Sequence, residues 1–196
     1  GFINFYLAEK YILKELTKAQ KSFSLLSPLW KGKPSQILIN KTWEGKKVAL
    51  EFTDPNPFKE FHIGHLYTNI VGETLCRLLE ASGAKVKRIN YQGDVGLHVA
   101  KAVFALQRGG KLEQAYAKGN LAFETDPAAK VEIEELNKKI YERSDLAINK
   151  IYDKGRKESL AAFEKIYKRL GTKFDFYYFE SEVGKLGQKL VEENLK

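Results

Sequence analysis

The chain has 196 residues, of which 43% are hydrophobic and 30% charged, and its formal net charge at pH 7 is +8. This length suits one large domain, or a domain with part of a second, and the apolar content is enough for a core. No run of about 18 apolar residues occurs, and the amphipathic opening segment is charged early, which argues against a membrane span or a cleavable signal. We expect a folded cytoplasmic protein that does not enter a membrane.

Composition gives three further expectations. The basic charge balance fits nucleic-acid binding, although a lysine-rich solvated surface explains a similar surplus. The single cysteine, Cys76, lies among leucines and is expected to be a small core residue rather than a nucleophile. The sequence contains no methionine, so we expect a fragment of a longer protein, or a chain whose initiator was removed.

The first part of the chain predicts a helix, a loop and a strand. Apolar residues at helical spacing indicate a helix that ends near Phe23 and is followed by a loop with Pro28 and Pro34. The segment KKVALEF predicts a strand over 47–52.

A strand–helix–strand unit then follows. Pro55 and Pro57 exclude helix and are expected to keep the backbone extended up to Phe61. Apolar residues from Ile63 onward recur with helical period, Gly83 suits the helix end, and AKVKRINY predicts a strand over 84–91. Such a βαβ unit makes the two strands parallel and indicates a doubly wound nucleotide-binding sheet.

The rest of the chain is predicted to be mainly helical. Residues 108–172 have the spacing of an inserted helical region, with Asp126 and Pro127 at the start of one helix. An aromatic-rich strand is expected over 172–180, followed by a helix with Ser181 as its N-cap. The sheet therefore resumes near the end of the sequence.

The segment FHIGHLYTN places His62 and His65 around Gly64 at the predicted start of a helix that follows a strand. In open α/β sheets, ligands bind at the carboxyl ends of the strands, and a helix N-terminus there favours anions. Imidazoles donate hydrogen bonds to phosphate oxygens, and a glycine lets a nucleotide approach the backbone. The pattern predicts a phosphate-handling site.

Other interpretations of the histidines remain open. With His98 they would suit a zinc site, but no further ligand cluster is apparent, and we expect no metal. They would also suit satisfied core histidines. No Walker A or G-x-G-x-x-G pattern occurs, which excludes P-loop and dinucleotide sites. The segment GDVG is most simply a tight turn in which Asp94 bonds local backbone.

The segments EFTDPNPFKEFHIGH and RINYQGDVGLHVAK resemble the catalytic start of the arginyl-tRNA synthetases, a family of class I aminoacyl-tRNA synthetases whose HIGH signature corresponds to residues 62–65. GFINF resembles the end of the family's N-terminal tRNA-binding domain, and residues 153–182 resemble the segment after the first half of its nucleotide-binding fold. The resemblance implies a class I synthetase-type, Rossmann-like parallel α/β sheet in its first half, with a helical insertion and a short N-terminal remnant.

The same resemblance implies an activity. Members of the family use ATP, with Mg2+, to convert L-arginine to arginyl adenylate, and then transfer the arginyl group to tRNA(Arg). His62 and His65 then act as catalytic, ATP-binding donors and Gly64 lets ATP pack closely. Lys59 would supply a positive charge to the phosphates, as in members that lack the downstream KMSK lysine; otherwise it is a solvated loop lysine.

Arginine-binding residues are also implied by the resemblance. The loop after the first strand maps the main-chain end of arginine to Glu51, Asp54 and Asn56, and His98 lies beside the pocket. Two of these depart from the family, since Asp54 replaces a common serine and His98 a common glutamine. Asp54 before a proline is also an ordinary turn starter.

Recognition of the guanidinium is mapped to the glutamate of the ES pair. That residue is Glu180, at the end of the resumed strand, and Glu182 is expected to be solvated. A guanidinium pairs best with a carboxylate that offers two oxygens. The alternative for Glu180 is an acid favoured by the helix dipole.

Four segments are predicted: 1–43, the end of the N-terminal tRNA-binding domain and a connector; 44–107, the first βαβ part of the catalytic domain; 108–172, the insertion; and 173–196, the resumed strand and helix. No KMSK-like sequence occurs, so we expect a fragment that is inactive alone. Two alternatives are a non-catalytic RNA-binding paralogue and a small-molecule nucleotidylyltransferase with the same HxGH corner.

Overall fold

The computed structural model describes residues 8–26 and 41–195. The helices and strands of the described residues are, in chain order, α1 Glu9–Leu26, β1 Lys47–Glu51, α2 Ile63–Ala81, β2 Lys85–Gln92, α3 Leu97–Gln107, α4 Leu112–Thr125, α5 Pro127–Glu142, α6 Leu146–Leu170, β3 Phe176–Phe179 and α7 Glu180–Asn194. The chain divides into a first unit, Gly1–Lys46 with Leu78–Lys85, and a second unit, Lys47–Arg77 with Val86–Lys196. The GFINF segment and the predicted Pro28 and Pro34 loop lie outside the described residues.

In the first unit, α1 confirms the predicted first helix and ends at Leu26. The turn before β1 is bonded to the end of α2, where the backbone N–H of Trp43 donates to the carbonyl of Ser82 at 3.0 Å. Gly83 has a φ of +94°, and a Cβ there would lie 2.9 Å from Glu44 Cα. A glycine is therefore needed where the helix ends, as the sequence predicts.

The second unit contains a parallel sheet of three strands in the order β1-β2-β3. The central strand β2 pairs with β3, with Gln92 opposite Phe179, and on its other side the N–H of Phe52 donates to the carbonyl of Ile89 at 3.2 Å. The predicted βαβ unit is confirmed. The last strand is shorter than predicted and spans Phe176–Phe179, while the Thr172 hydroxyl donates to Asn69 of α2.

Two apolar clusters stabilise the second unit. One joins α3 to α4, α5 and α6 and includes the fully buried Val99 and Ile133. The other lies against the sheet and includes Tyr167 of α6 and Cys76, which confirms the core role predicted for the cysteine. Asp126 accepts a hydrogen bond from the N–H of Ala128, so it is the N-cap of α5, as predicted.

The apolar repeat of α2 predicts the helix correctly, yet most residues of that repeat are exposed. Ile63 and Tyr67 are 78% and 68% exposed, whereas Asn69 and Glu73 are buried. The buried polar groups are paired, since Glu73 Oε2 lies 2.8 Å from Arg88 Nε on β2. Within the second unit, charge pairing and amide hydrogen bonds therefore hold this part of the helix in place.

The loop between β1 and α2 is not extended throughout, contrary to the prediction, although its prolines do exclude helix. Thr53, Asp54 and Phe58 have φ values of +81°, +45° and +68°, which side chains other than glycine rarely adopt. Each of the three is held by a hydrogen bond to a neighbouring element: Asn69 Nδ2 to Thr53 Oγ1 at 2.9 Å, Tyr91 N to Asp54 Oδ1 at 2.9 Å, and Phe58 N to Ser159 Oγ at 3.0 Å.

We expect the loop to make stability depend on pH through Asp54. Burial, with the charge of Glu51 as a lesser cause, raises the pKa of Asp54 from 3.8 to about 6. Between about pH 4 and 6 the folded state keeps a proton that the unfolded state has released. The contribution of Asp54 to the unfolding free energy is therefore complete below about pH 4 and is lost as pH rises through about 6. Asp54→Asn keeps an acceptor for Tyr91 N. The unfolding free energy of the variant, measured by urea denaturation, should therefore rise relative to that of the wild type as pH increases from about 4 to about 6.

The control is Glu134→Gln on α5, an exposed acid far from the loop in sequence. Its difference from the wild type should stay constant over the same pH range. An equally constant difference for Asp54→Asn would contradict the prediction.

Candidate functional site

The sequence-predicted residues lie in the second unit, around the start of α2 and the carboxyl end of β2. They form two groups. The histidine group comprises Lys59, His62, Gly64 and His65 on the approach to α2 and in its first turn. The Gly93 group comprises Asn56, His98 and Glu180, which meet at Gly93, the first residue after β2.

In the histidine group, backbone amides fix the tautomers of both imidazoles. Gly64 N donates to His62 Nδ1 at 3.1 Å, and His62 N donates to His65 Nδ1 at 3.2 Å. An Nδ1 atom that accepts carries no hydrogen, so each neutral ring has its hydrogen on Nε2. The two rings stack with centroids 3.8 Å apart. The start of α2 thus offers two imidazole N–H donors.

The glycine of the motif has a direct structural reason. A Cβ at Gly64 would lie 2.9 Å from His62 Cε1, because the His62 ring folds back over the first turn. Burial lowers the pKa of His65, and the positive charge of Lys59 acts in the same direction. His65 is therefore a neutral donor near pH 7.

Lys59 is the member of the histidine group whose charge also reaches the Gly93 group. Its Nζ is 4.7 Å from the ring centre of Tyr116 on α4, a cation–π contact, and the side chain is half-buried. Its charge acts on the pKa of both His65 and His98. Tyr116 is a partner that the sequence did not indicate, because it stands 57 residues away on another helix with no motif around it.

Around Gly93 the structure brings together three predicted arginine-binding residues. Gly93 N donates to Asn56 Oδ1 at 3.2 Å, and His98 Nε2 donates to the Gly93 carbonyl at 2.9 Å. A Cβ at Gly93 would lie 2.6 Å from Asn56 Oδ1 and 3.2 Å from Glu180 Oε2. Only a glycine lets the amide and the carboxylate converge here. Burial lowers the pKa of His98, so this ring too is neutral near pH 7.

Glu180 lines a cavity of about 740 Å³ between α5, α6 and α7, which is within the roughly 300–1,000 Å³ usual for small-molecule sites. The arginines of the cavity already have partners, since Arg143 pairs with Asp153 at 2.7 Å and Arg156 with Asp94 at 2.7 Å. Within residues 8–26 and 41–195, no hydrogen bond or ion pair engages the Glu180 carboxylate. Burial, followed by the charge of Asp94, raises its pKa. A cationic ligand would stabilise the charged form of the Glu180 carboxylate against both influences.

The other two predicted residues lie at the end of β1. Glu51 is exposed, and Asp54 is half-buried with Oδ1 already accepting from Tyr91 N. The structure therefore leaves only the second oxygen of Asp54 for a ligand. The side chains nearest to Gly93 are those of Asn56 and Glu180, and neither Glu51 nor Asp54 is among them.

Two predictions near the site are wrong. Asp94 does not bond local backbone through its side chain, and Ser181 is not an N-cap, because α7 already begins at Glu180. Instead Ser181 N and Ser181 Oγ both donate to the Asp94 carboxylate, at 2.9 and 2.7 Å. These residues stand 87 positions apart, so local sequence patterns could not predict the pairing.

Two features of the described residues bear on other classes of site. Among them, no group of three or more His, Cys, Asp or Glu side chains is arranged to hold a metal ion. No helix in that part of the chain is long and apolar enough to cross a membrane.

Comparison with known proteins gives consistent relatives. An arginine–tRNA ligase of Borreliella burgdorferi is 33% identical over 165 residues, which cover 77% of this chain and 28% of that protein. A human protein named probable arginine–tRNA ligase, mitochondrial, is 30% identical over 200 residues, covering 96% and 33%. The arginyl-tRNA synthetase of Thermus thermophilus is similar in structure, with a TM-score of 0.60 at 25% identity over 87% of this chain and 29% of that one.

The chain thus spans about a third of the length of the curated relatives that it matches. The parallel sheet and its helices agree with the class I catalytic domain, which confirms the predicted fold class. Residues 33–172 match the family described as tRNA synthetases class I (R), catalytic domain. Because that match covers more than half of the sequence, the chain belongs to the class I tRNA synthetase (R) catalytic-domain family.

Proposed function

We propose that the chain works as the first half of the catalytic domain of an arginine–tRNA ligase in the cytoplasm. The reaction would join L-arginine to ATP as arginyl adenylate and then transfer the arginyl group to tRNA(Arg). The observation that carries the proposal is the pair of Nε2–H donors of His62 and His65 at a helix N-terminus, in a chain whose relatives are named arginine–tRNA ligases.

In the first step the arginine carboxylate attacks the α-phosphorus of ATP in line, and pyrophosphate leaves. Negative charge builds up on the non-bridging oxygens, and donors that are already oriented lower the barrier. His62 and His65 are oriented in this way by backbone amides, and Lys59 adds a positive charge beside them. Gly64 lacks a side chain and so leaves room for the His62 ring, which it orients through its backbone N–H.

Mg2+ is expected to enter with ATP. Substrate phosphates and water usually supply most of the coordination of this ion, together with one or two carboxylates. No step that we assign to the protein depends on a metal ligand from this chain.

We further propose that Glu180 binds the guanidinium of arginine. Its carboxylate is half-buried, faces the cavity and is not engaged by the neighbouring arginines. Asn56 would contact the main-chain end through its Nδ2, with Glu51 and the second oxygen of Asp54 near the ammonium. His98 would donate to the Gly93 carbonyl and so hold Gly93 in place, and the N–H of Gly93 orients Asn56.

ATP–pyrophosphate exchange by the whole protein, with arginine and tRNA present, tests the proposal. We expect exchange that requires arginine. Exchange without arginine would favour a small-molecule nucleotidylyltransferase. Absence of exchange, together with RNA binding that weakens steeply with salt, would favour a non-catalytic RNA-binding paralogue.

The tautomer assignment makes a prediction at His62. Asparagine places its amide near Nδ1 and can still accept from Gly64 N, whereas glutamine places an N–H near Nε2. His62→Asn should therefore lower kcat of exchange by about 100- to 1,000-fold, the usual cost of losing one such donor. His62→Gln should retain most of the activity, with the arginine KM nearly unchanged in both. Equal loss in the two variants would contradict the assignment of Nε2 as the donor.

A second prediction concerns Glu180. Losing a buried charge partner costs roughly 2–5 kcal/mol, so Glu180→Gln should raise the arginine KM by well over tenfold while the ATP KM stays nearly constant. The control is Glu182→Gln, two residues along α7, whose side chain is 65% exposed. A change in arginine KM below about threefold for Glu180→Gln would place the pocket carboxylate elsewhere.

A further inference from the structure

Asp94 is a completely buried carboxylate to which the proposed reaction gives no role. Its side chain has an exposure of 0%, and an unpaired charge at such a position is strongly destabilising. It accepts four hydrogen bonds from two other parts of the chain: Ser181 N at 2.9 Å, Ser181 Oγ at 2.7 Å, Arg156 Nε at 2.7 Å and Tyr152 OH at 3.3 Å.

These bonds make Asp94 the cap of a helix to which it does not belong. Phe179, at the N-cap position of α7, offers no side-chain acceptor. Asp94 takes that place by accepting the N–H of Ser181, in the first turn of α7, where a negative charge is also favoured by the helix dipole. Arg156 balances the charge of Asp94 and lies 4.0 Å from the ring centre of Phe179.

The consequence falls on Glu180, which stands between two fixed neighbours. On one side Phe179 is paired with Gln92 on β2. On the other side Ser181 is bonded twice to Asp94. The backbone of Glu180 is therefore fixed at the place where its carboxylate meets Gly93.

Asp94 is also the direct neighbour of Gly93, whose N–H is bonded to Asn56. Two consecutive residues thus orient both an amide and a carboxylate of the predicted arginine site. Small displacements of such groups have large effects on a bound substrate.

We propose that Asp94 is a positioning residue for arginine binding: through Ser181 it holds the Glu180 carboxylate at Gly93. This inference rests on the proposed function, because it assigns Asp94 a role only through Glu180. Glu180 touches the substrate, and Asp94 does not.

Ser181 offers a cleaner test than Asp94. Asp94→Asn would turn an amide N–H toward several donors and disturb folding. Ser181→Ala removes one of the four hydrogen bonds and leaves Asp94 paired with Arg156 and with Ser181 N. Ser181→Thr keeps the hydroxyl and serves as the conservative variant.

In the whole protein, Ser181→Ala should raise the arginine KM roughly three- to tenfold and leave the ATP KM and the melting temperature nearly unchanged. Ser181→Thr should stay near the wild type. In the Glu180→Gln background, Ser181→Ala should have almost no further effect, because the group that it positions has already lost its charge. Ser144→Ala, at an exposed serine before α6, is the matched control.

Three results would overturn the inference: an unchanged arginine KM for Ser181→Ala, independent effects of Ser181→Ala and Glu180→Gln in the double variant, or a parallel rise of both KM values with a lower melting temperature. If Glu180→Gln alone leaves the arginine KM unchanged, the assignment of Glu180 fails, and this inference with it. If Glu180→Gln raises the arginine KM but Ser181→Ala does not, only the role of Asp94 fails.

Discussion

The left-handed backbone of the loop from Thr53 to Phe58 is the constraint on which the rest of the site depends. Three residues with side chains hold positive φ values there, and each such conformation costs of order 1–3 kcal/mol unless its surroundings impose it. The surroundings do so through hydrogen bonds with α2, β2 and α6. The loop carries Asn56 and leads to Lys59 and His62, so the strain fixes where the polar groups of both site groups stand.

The two groups have opposite electrostatic preferences. At the start of α2 there is no acidic residue in the first turn, and the helix N-terminus, two imidazole donors and Lys59 together favour an anion. Around Gly93, Glu180 faces a cavity whose arginines are already paired with aspartates, which favours a cation. The proposed reaction between a nucleoside triphosphate and a cationic amino acid would use this arrangement, because each substrate would be drawn to its own group.

Much of this organisation could be predicted from local sequence patterns. Helical spacing, prolines and the HxGH motif predicted β1, α2 and β2, and they placed His62 and His65 at a helix start. What they missed depends on distant partners. Asp94 and Ser181 stand 87 positions apart, and Tyr116 contacts Lys59 with no motif around it. The apolar repeat of α2 gave its period but not its buried side, because paired polar groups such as Glu73 hold that side.

The predicted insertion explains how such distant partners are coordinated. One face of α6 supports both the strained loop and Asp94, through residues at helical spacings of three, four and seven: Tyr152, Gly155, Arg156 and Ser159. Ser159 Oγ accepts from Phe58 N, the Phe58 ring stacks on Tyr152 at 5.8 Å, and a Cβ on Gly155 would clash with that ring. The same Tyr152, with Arg156, donates to Asp94. A shift of α6 would therefore move Asn56 and Glu180 together, so the helical region sets the geometry of the proposed arginine site.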